Sequence, residues 1–131
     1  MIEKYGQLTV YQRSYDLAKE IHGLTAAFPK FEQYELGSQM RRASGSIPAN
    51  IAEGFGKNDS RAEFVRFLRM GMGSANEMLV WLDFAKEYGY ITAKDHDALQ
   101  TAYEHLAKQL NRLIEKLQAK EFQSKTLTTN Y

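Results

Sequence analysis

A chain of 131 residues, 44% hydrophobic and 25% charged, has the size and composition of one globular domain. Seventeen Lys and Arg against sixteen Asp and Glu leave a formal charge of +1, which argues against a strongly basic nucleic-acid binder. The lack of cysteine removes disulfides, thiolate metal sites and cysteine nucleophiles. No apolar run reaches the ~18 residues of a membrane span, and the opening MIEKYGQLTVYQ lacks a signal peptide's apolar centre, so a cytoplasmic domain is expected.

Helical spacing dominates, and no segment shows sustained strand-like alternation. The first helix is expected to open at Thr9, with Gln12 completing a capping box. Val10, Ser14, Leu17, Ile21, Leu24 and Phe28 follow at steps of four and three, on one face. Pro29 ends it, because a proline pushes the preceding residue out of the α region.

The second helix is expected from about Tyr34 to Glu53, with Leu36, Met40, Ala43, Ile47 and Ile51 as its seam. Pro48 removes one backbone donor, so a kink or a new first turn is expected there. Gly54 and Gly56 are expected to cap the C-terminus. The third helix opens at Ser60, where Glu63 supplies a second capping box. Its seam is Phe64, Leu68, Gly71, Ala75, Met78, Leu82 and Ala85, and Gly89 stops it. The fourth opens at Thr92, with His96, Leu99, Tyr103, Leu106, Leu110, Leu113 and Leu117 facing the core.

Short connections make these helices antiparallel neighbours, so the expected fold is an all-α, up-down-up-down four-helix bundle. The bundle should occupy residues 1–119, and residues 120–131 should form a polar tail.

The third helix is apolar over more of its circumference than one core needs. A second series, Phe67, Met70, Ser74, Glu77, Trp81, Phe84 and Tyr88, lies about a quarter turn from the seam. Phe67, Met70, Ser74, Trp81, Phe84 and Tyr88 therefore read as an oligomer interface, because four helices provide no outer layer. A cyclic homo-oligomer buries such a stripe. Small residues at Ala43, Ser44, Gly45, Ser46 and Ala49, facing Gly71, Gly73, Ser74 and Ala75, should let the second and third helices approach closely. Gly71 is expected to tolerate no leucine.

Candidate chemistry is sparse. The histidines His22, His96 and His105 lack a Glu-x-x-His partner pattern, so no metal site is expected. Gly71 and Gly73 form a GxG in mid-helix after no strand, which rejects a dinucleotide loop. No serine stands on a glycine-rich elbow. Asn50, Glu53 and Glu77 are expected to form a structural polar network; an unrecognised active site there is the sharper alternative. We expect no enzyme activity and no cofactor. Between residues 41 and 69, Arg41, Arg42, Lys57, Arg61, Arg66 and Arg69 outnumber Glu53, Asp59 and Glu63. Repeated around a ring, this excess could attract phosphates, and these six are the candidate nucleic-acid contacts.

The run Glu35-Leu36-Gly37-Ser38-Gln39-Met40-Arg41-Arg42-Ala43, followed by Ser46-Ile47-Pro48-Ala49-Asn50-Ile51-Ala52-Glu53-Gly54-Phe55-Gly56, resembles the bacterial 23S ribosomal-RNA intervening-sequence proteins. Glu63-Phe64, Phe67-Leu68, Gly73-Ser74 and Glu77 extend the similarity, which covers about residues 5–118. The resemblance implies a small up-down bundle assembling as a ring, commonly a pentamer, with an RNA-related role. The accessory variability protein of diversity-generating retroelements is more distantly similar in fold. It is markedly basic and associates with a reverse transcriptase and nucleic acid, whereas this chain has a pI of about 7.9. The resemblance transfers no catalytic residue. The expected function is a non-enzymatic, homo-oligomeric scaffold associated with RNA or a nucleic-acid-processing partner. The alternative is a protein-interaction adaptor with no nucleic-acid role.

Overall fold

The computed structural model describes residues 2–127, with side chains through residue 120. Four long helices and one short one make up the domain, and no strand occurs among the described residues. A 3-10 turn at Tyr5–Gln7 leads into α1 (Thr9–Ala26), and α2 (Lys30–Gln33) is a single turn. Then come α3 (Leu36–Gly56), α4 (Arg61–Glu87) and α5 (Ala93–Leu127). The backbone stays helical through Leu127, past residue 120 where the polar tail is expected to begin. Residues 128–131 of that tail lie outside the described residues.

Helix α3 packs between α1 and α4, and α4 between α3 and α5. Contacts between successive helices run in opposite directions. Gly54 meets Phe67 and Phe64, while Ser46 meets Ser74. Gly71 faces Leu110, while Asp83 meets His96. The α1 start, the α3–α4 connection and the later part of α5 therefore share one end. The α2 turn and the α4–α5 connection share the other.

The expected seams form the core. Ile21, Met40, Ile47, Ile51, Leu68, Met78, Leu82, Leu106 and Leu110 are fully buried. Two positions drift by one residue: Thr25 is buried rather than Leu24, and Ile114 rather than Leu113. A straight helix turns 100° per residue, so a strict three-four stripe slides off its face over several turns. Tyr103 lies wholly inside the core, its hydroxyl without a hydrogen-bond partner, and burial pushes its pKa up.

The helix ends divide into fulfilled and corrected expectations. Ser60 Oγ accepts from the Glu63 amide at 3.2 Å, and Thr92 Oγ1 from the Asp95 amide at 3.0 Å. The return bond of the Ser60–Glu63 box is absent: the Ser60 amide donates to the Lys57 carbonyl and the Glu63 carboxylate binds Arg66. Thr9 is not a cap. Leu8 holds that position without a side-chain bond, and the Gln12 side chain donates to the Gly6 carbonyl at 2.8 Å. The second long helix begins at Leu36 rather than Tyr34, after the α2 turn that follows Pro29. It continues through the buried Pro48 to Gly56.

Gly89 has φ +77°, and behind it the Tyr90 amide donates to the Ala85 carbonyl and the Gly89 amide to the Lys86 carbonyl. This pair satisfies two orphan carbonyls of α4 in the Schellman pattern. Gly54 and Gly56 do not take the left-handed conformation expected of a cap. Gly54 serves close packing: a Cβ there would lie 2.8 Å from Phe67 Cβ and 3.3 Å from the Phe64 carbonyl. Gly71 is roomier than expected. Its nearest neighbours, Ile47 and Leu110, would stand 3.9 Å from a Cβ. We therefore expect Gly54→Ala to destabilise by about 1–3 kcal/mol through overpacking. Gly71→Ala should be neutral or stabilising by up to ~1 kcal/mol through helix propensity. Denaturant titration of both variants checks the contrast.

His96, 5% exposed, clamps α4 to α5. Its Nε2 lies 2.7 Å from Asp83 Oδ1 and its Nδ1 lies 3.0 Å from Asp97 Oδ1. Two carboxylates on one imidazole favour the doubly protonated ring. The bond to Asp83, then that to Asp97, raises the pKa above its ordinary 6.5, against burial and Lys86. The raised folded-state pKa fixes the sign: the stabilisation is complete below the unfolded value of 6.5 and fades as pH rises through the folded value. Thermal melts across this range should show stability falling with rising pH in the wild type, and a flatter profile in His96→Gln.

Candidate functional site

The two ends of the bundle differ in chemistry. At the end formed by α2 and the close of α4, a groove of about 560 Å³ is lined by Phe31, Glu32, Glu35, Leu36, Gln39, Trp81, Phe84, Tyr88 and Tyr90. Trp81, Phe84, Tyr88 and Tyr90 form a ladder with successive ring centroids 6.1, 5.8 and 5.8 Å apart. Two hydrogen bonds orient its ends. The Trp81 indole N–H donates to Glu77 Oε2 at 3.0 Å, and the Tyr90 hydroxyl donates to Glu32 Oε2 at 2.7 Å. The Glu32 bond is the main cause that pushes the Tyr90 phenol up to about 12. Glu32 and Glu35 lie in the groove wall, and no Lys, Arg or His lines it.

Much of this surface faces solvent. Phe84 is 42% exposed, Tyr88 55%, Phe31 69% and the neighbouring Tyr34 79%. The excess apolar arc of α4 is thus present, but its membership changes. Trp81, Phe84 and Tyr88 belong to the groove, and Met70 is exposed nearer the middle of α4. Phe67 does not belong: it is buried against Gly54, with the Arg66 guanidinium 4.5 Å from its ring centroid. Ser74 is occupied within the chain, its hydroxyl 2.6 Å from that of Ser46. Phe31, Glu32, Glu35 and Tyr90 complete the groove. Sequence periodicity missed them because they lie in the α2 turn and the connections, outside any helical stripe. The aromatic residues flanking Pro29 in a polar stretch were the only local signal.

The candidate phosphate-binding residues do not form one cluster. Arg41 is a structural strut. Its guanidinium donates to Thr25 Oγ1 at 3.1 Å and to the Gln33 carbonyl at 2.5 Å, tying α1, α2 and α3 together. Arg42 is exposed in the first third of α3, toward the aromatic end. Lys57, Arg61, Arg66 and Arg69 do gather at the opposite end, on the α3–α4 connection and the first turns of α4. Arg66 pairs with Glu63 at 2.8 Å, which holds that carboxyl below its usual range. The pair is solvent-exposed, so it contributes little to stability.

Asn50, Glu53 and Glu77 are not brought together. The Asn50 amide donates to the Ser46 carbonyl at 2.8 Å, Glu53 is exposed, and Glu77 holds Trp81. No hydrogen bond joins the three among the described residues: Asn50 and Glu77 each bond within their own helix. No group of three or more His, Asp or Glu suited to a metal ion occurs among the described residues. None of the described helices is long and apolar enough to cross a membrane.

A helical bundle with one aromatic, acidic end and one basic end is the class of protein this geometry defines. The chain belongs to the 23S rRNA-intervening sequence protein family, whose sequence profile matches residues 6–112. Its fold is similar to the crystal structure of a protein of unknown function from the S23 ribosomal protein family of Bacteroides thetaiotaomicron VPI-5482. The two are 27% identical with a TM-score of 0.74, over 81% of this chain and 95% of that one. No curated protein matches the sequence.

The separation of Arg41 from Arg42 is directly testable. Arg41→Ala should cost about 1.5–3 kcal/mol, the value of hydrogen bonds from a charged group. Arg42→Ala should stay within ±0.5 kcal/mol, as an exposed substitution does. Chemical denaturation of the two variants measures the difference.

Proposed function

We propose that this protein is a non-catalytic helical scaffold that assembles with copies of itself through the aromatic groove and contacts RNA through its basic end. The observation that carries the reading is the groove. Phe84, Tyr88 and Phe31 present a contiguous apolar surface with no element across it among the described residues. Helix α5 starts at that end and runs away from it, so the later part of α5 offers no cover. A surface of this kind marks an interaction site, and closed cyclic assembly is the common solution for identical copies. The family resemblance favours a ring, commonly of five subunits. The family takes its name from 23S rRNA intervening sequences, and the four cations at the other end suit a phosphate backbone.

Sedimentation velocity at micromolar concentration tests the first half. The wild type is expected to be an oligomer, and Phe84→Glu with Tyr88→Glu to dissociate it while helicity by circular dichroism persists. A monomeric wild type would overturn the assembly reading. Retention of labelled single-stranded RNA at 50 mM salt tests the second half. Charge reversal at Arg66 and Arg69 should weaken retention without dissociating the oligomer. An oligomer that retains no RNA would instead be a protein-interaction adaptor.

A further inference from the structure

Helix α5 carries four cations at regular spacing: Lys108, Arg112, Lys116 and Lys120. Each is exposed, and none forms an ion pair among the described residues. A step of four residues advances ~6 Å along the axis and rotates ~40°, so these side chains form one slightly inclined ridge. Glu115 is the one carboxylate beside it between residues 108 and 120, and its Oε1 already accepts from the Asn111 amide at 2.8 Å. Crevices flank the ridge on both sides. One is shared with Met72 of α4, the other with Leu8 and Thr9 at the start of α1. The ridge therefore stands at the same end of the bundle as Lys57, Arg61, Arg66 and Arg69, on a different helix.

We propose that the α5 ridge Lys108, Arg112, Lys116 and Lys120 binds the phosphodiester backbone of a nucleic-acid strand. This extends the RNA reading given above and rests on it. Charge complementarity selects the ligand. Four exposed cations in line match a polymer that repeats one negative charge every few ångströms, and they gain affinity by releasing its counterions. The near-neutral net charge of the chain conceals a local field, because several carboxylates stand at the aromatic end. Glu32, Glu35, Asp83 and Asp95 are examples. An anionic membrane surface fits less well. A membrane-lying helix needs a free apolar face, whereas α5 spends Leu106, Leu110 and Ile114 on the core. The contacts would be to the backbone and not to bases, so little sequence preference is expected.

The test measures binding of a labelled 20-nucleotide single-stranded RNA by fluorescence anisotropy between 50 and 200 mM salt. Each phosphate contact contributes ~0.7 to the slope of log affinity against log salt on a single strand. Arg112→Glu with Lys116→Glu should weaken binding about tenfold or more and flatten the slope by about 1.4. Lys108→Glu with Lys120→Glu should act similarly, and Arg112→Lys should bind as the wild type. Circular dichroism and sedimentation should match the wild type in all of them. Wild-type affinity and slope in both double variants would overturn the ridge, while loss on reversing Arg66 and Arg69 would leave the broader reading standing. A wild type that binds no RNA at 50 mM salt would overturn both. Ridge-dependent sedimentation with phosphatidylserine vesicles but not with RNA would also overturn the proposal and assign the ridge to a membrane.

Discussion

The close approach of α3 to α4 is the constraint on which the rest of the architecture depends. Helix α4 is packed between α3 and α5, and small side chains let α3 approach it closely. Gly54 places the α3 backbone against Phe67, and the Ser46 and Ser74 hydroxyls touch across the same interface. That contact turns Phe64, Leu68 and Gly71 inward, toward Ile47 and Leu110. With one face of α4 committed to α3 and the next to α5, the direction of Trp81, Phe84 and Tyr88 is no longer free. They emerge beside α2, where Phe31, Glu32, Glu35, Leu36, Gln39 and Tyr90 line the same groove.

The polarity of the bundle has a simple origin. In an antiparallel array each end collects the start of one helix and the finish of the next. Acidic residues stand in α2 and at the end of α4. Basic residues cluster at the start of α4 and in the later half of α5. Up-and-down connectivity sums these local biases at opposite ends. A chain with formal charge +1 can therefore present two surfaces of opposite character. Net charge bears on solubility and long-range steering, but a partner meets only the local field.

Polar groups inside the bundle act mostly as fasteners. Arg41 bridges three helices through Thr25 and Gln33, and His96 bridges two through Asp83 and Asp97. Both hydrogen-bond to oxygen atoms of neighbouring elements. Neither stands beside a cavity holding a nucleophile or a second base. Tyr103 departs from the fastening rule, as does Gln109 Oε1, since its hydroxyl occupies the core without a partner among the described residues. Such an atom costs desolvation energy without return, and the ring's apolar contacts are what hold the residue there.

Much of the fold was legible in the order of residues. Apolar spacing located the four long helices, Ser60 and Thr92 marked two helix starts, and Gly89 marked a stop, because each depends on chemistry within one or two turns. The run from Glu35 to Gly56 carried the family resemblance. What local pattern could not supply was the partner of each surface. Arg41 and Arg42 are adjacent in sequence, yet one is locked among three helices and the other faces solvent. Phe67 and Phe84 belong to one stripe, yet one is buried by Gly54 and the other is exposed. Asn50, Glu53 and Glu77 looked like one network, yet Asn50 and Glu77 each bond within their own helix. Periodicity assigns a residue to a face of its own helix, but only the packing of helices against one another decides what that face meets, because burial and electrostatic pairing depend on distances between segments far apart in the chain.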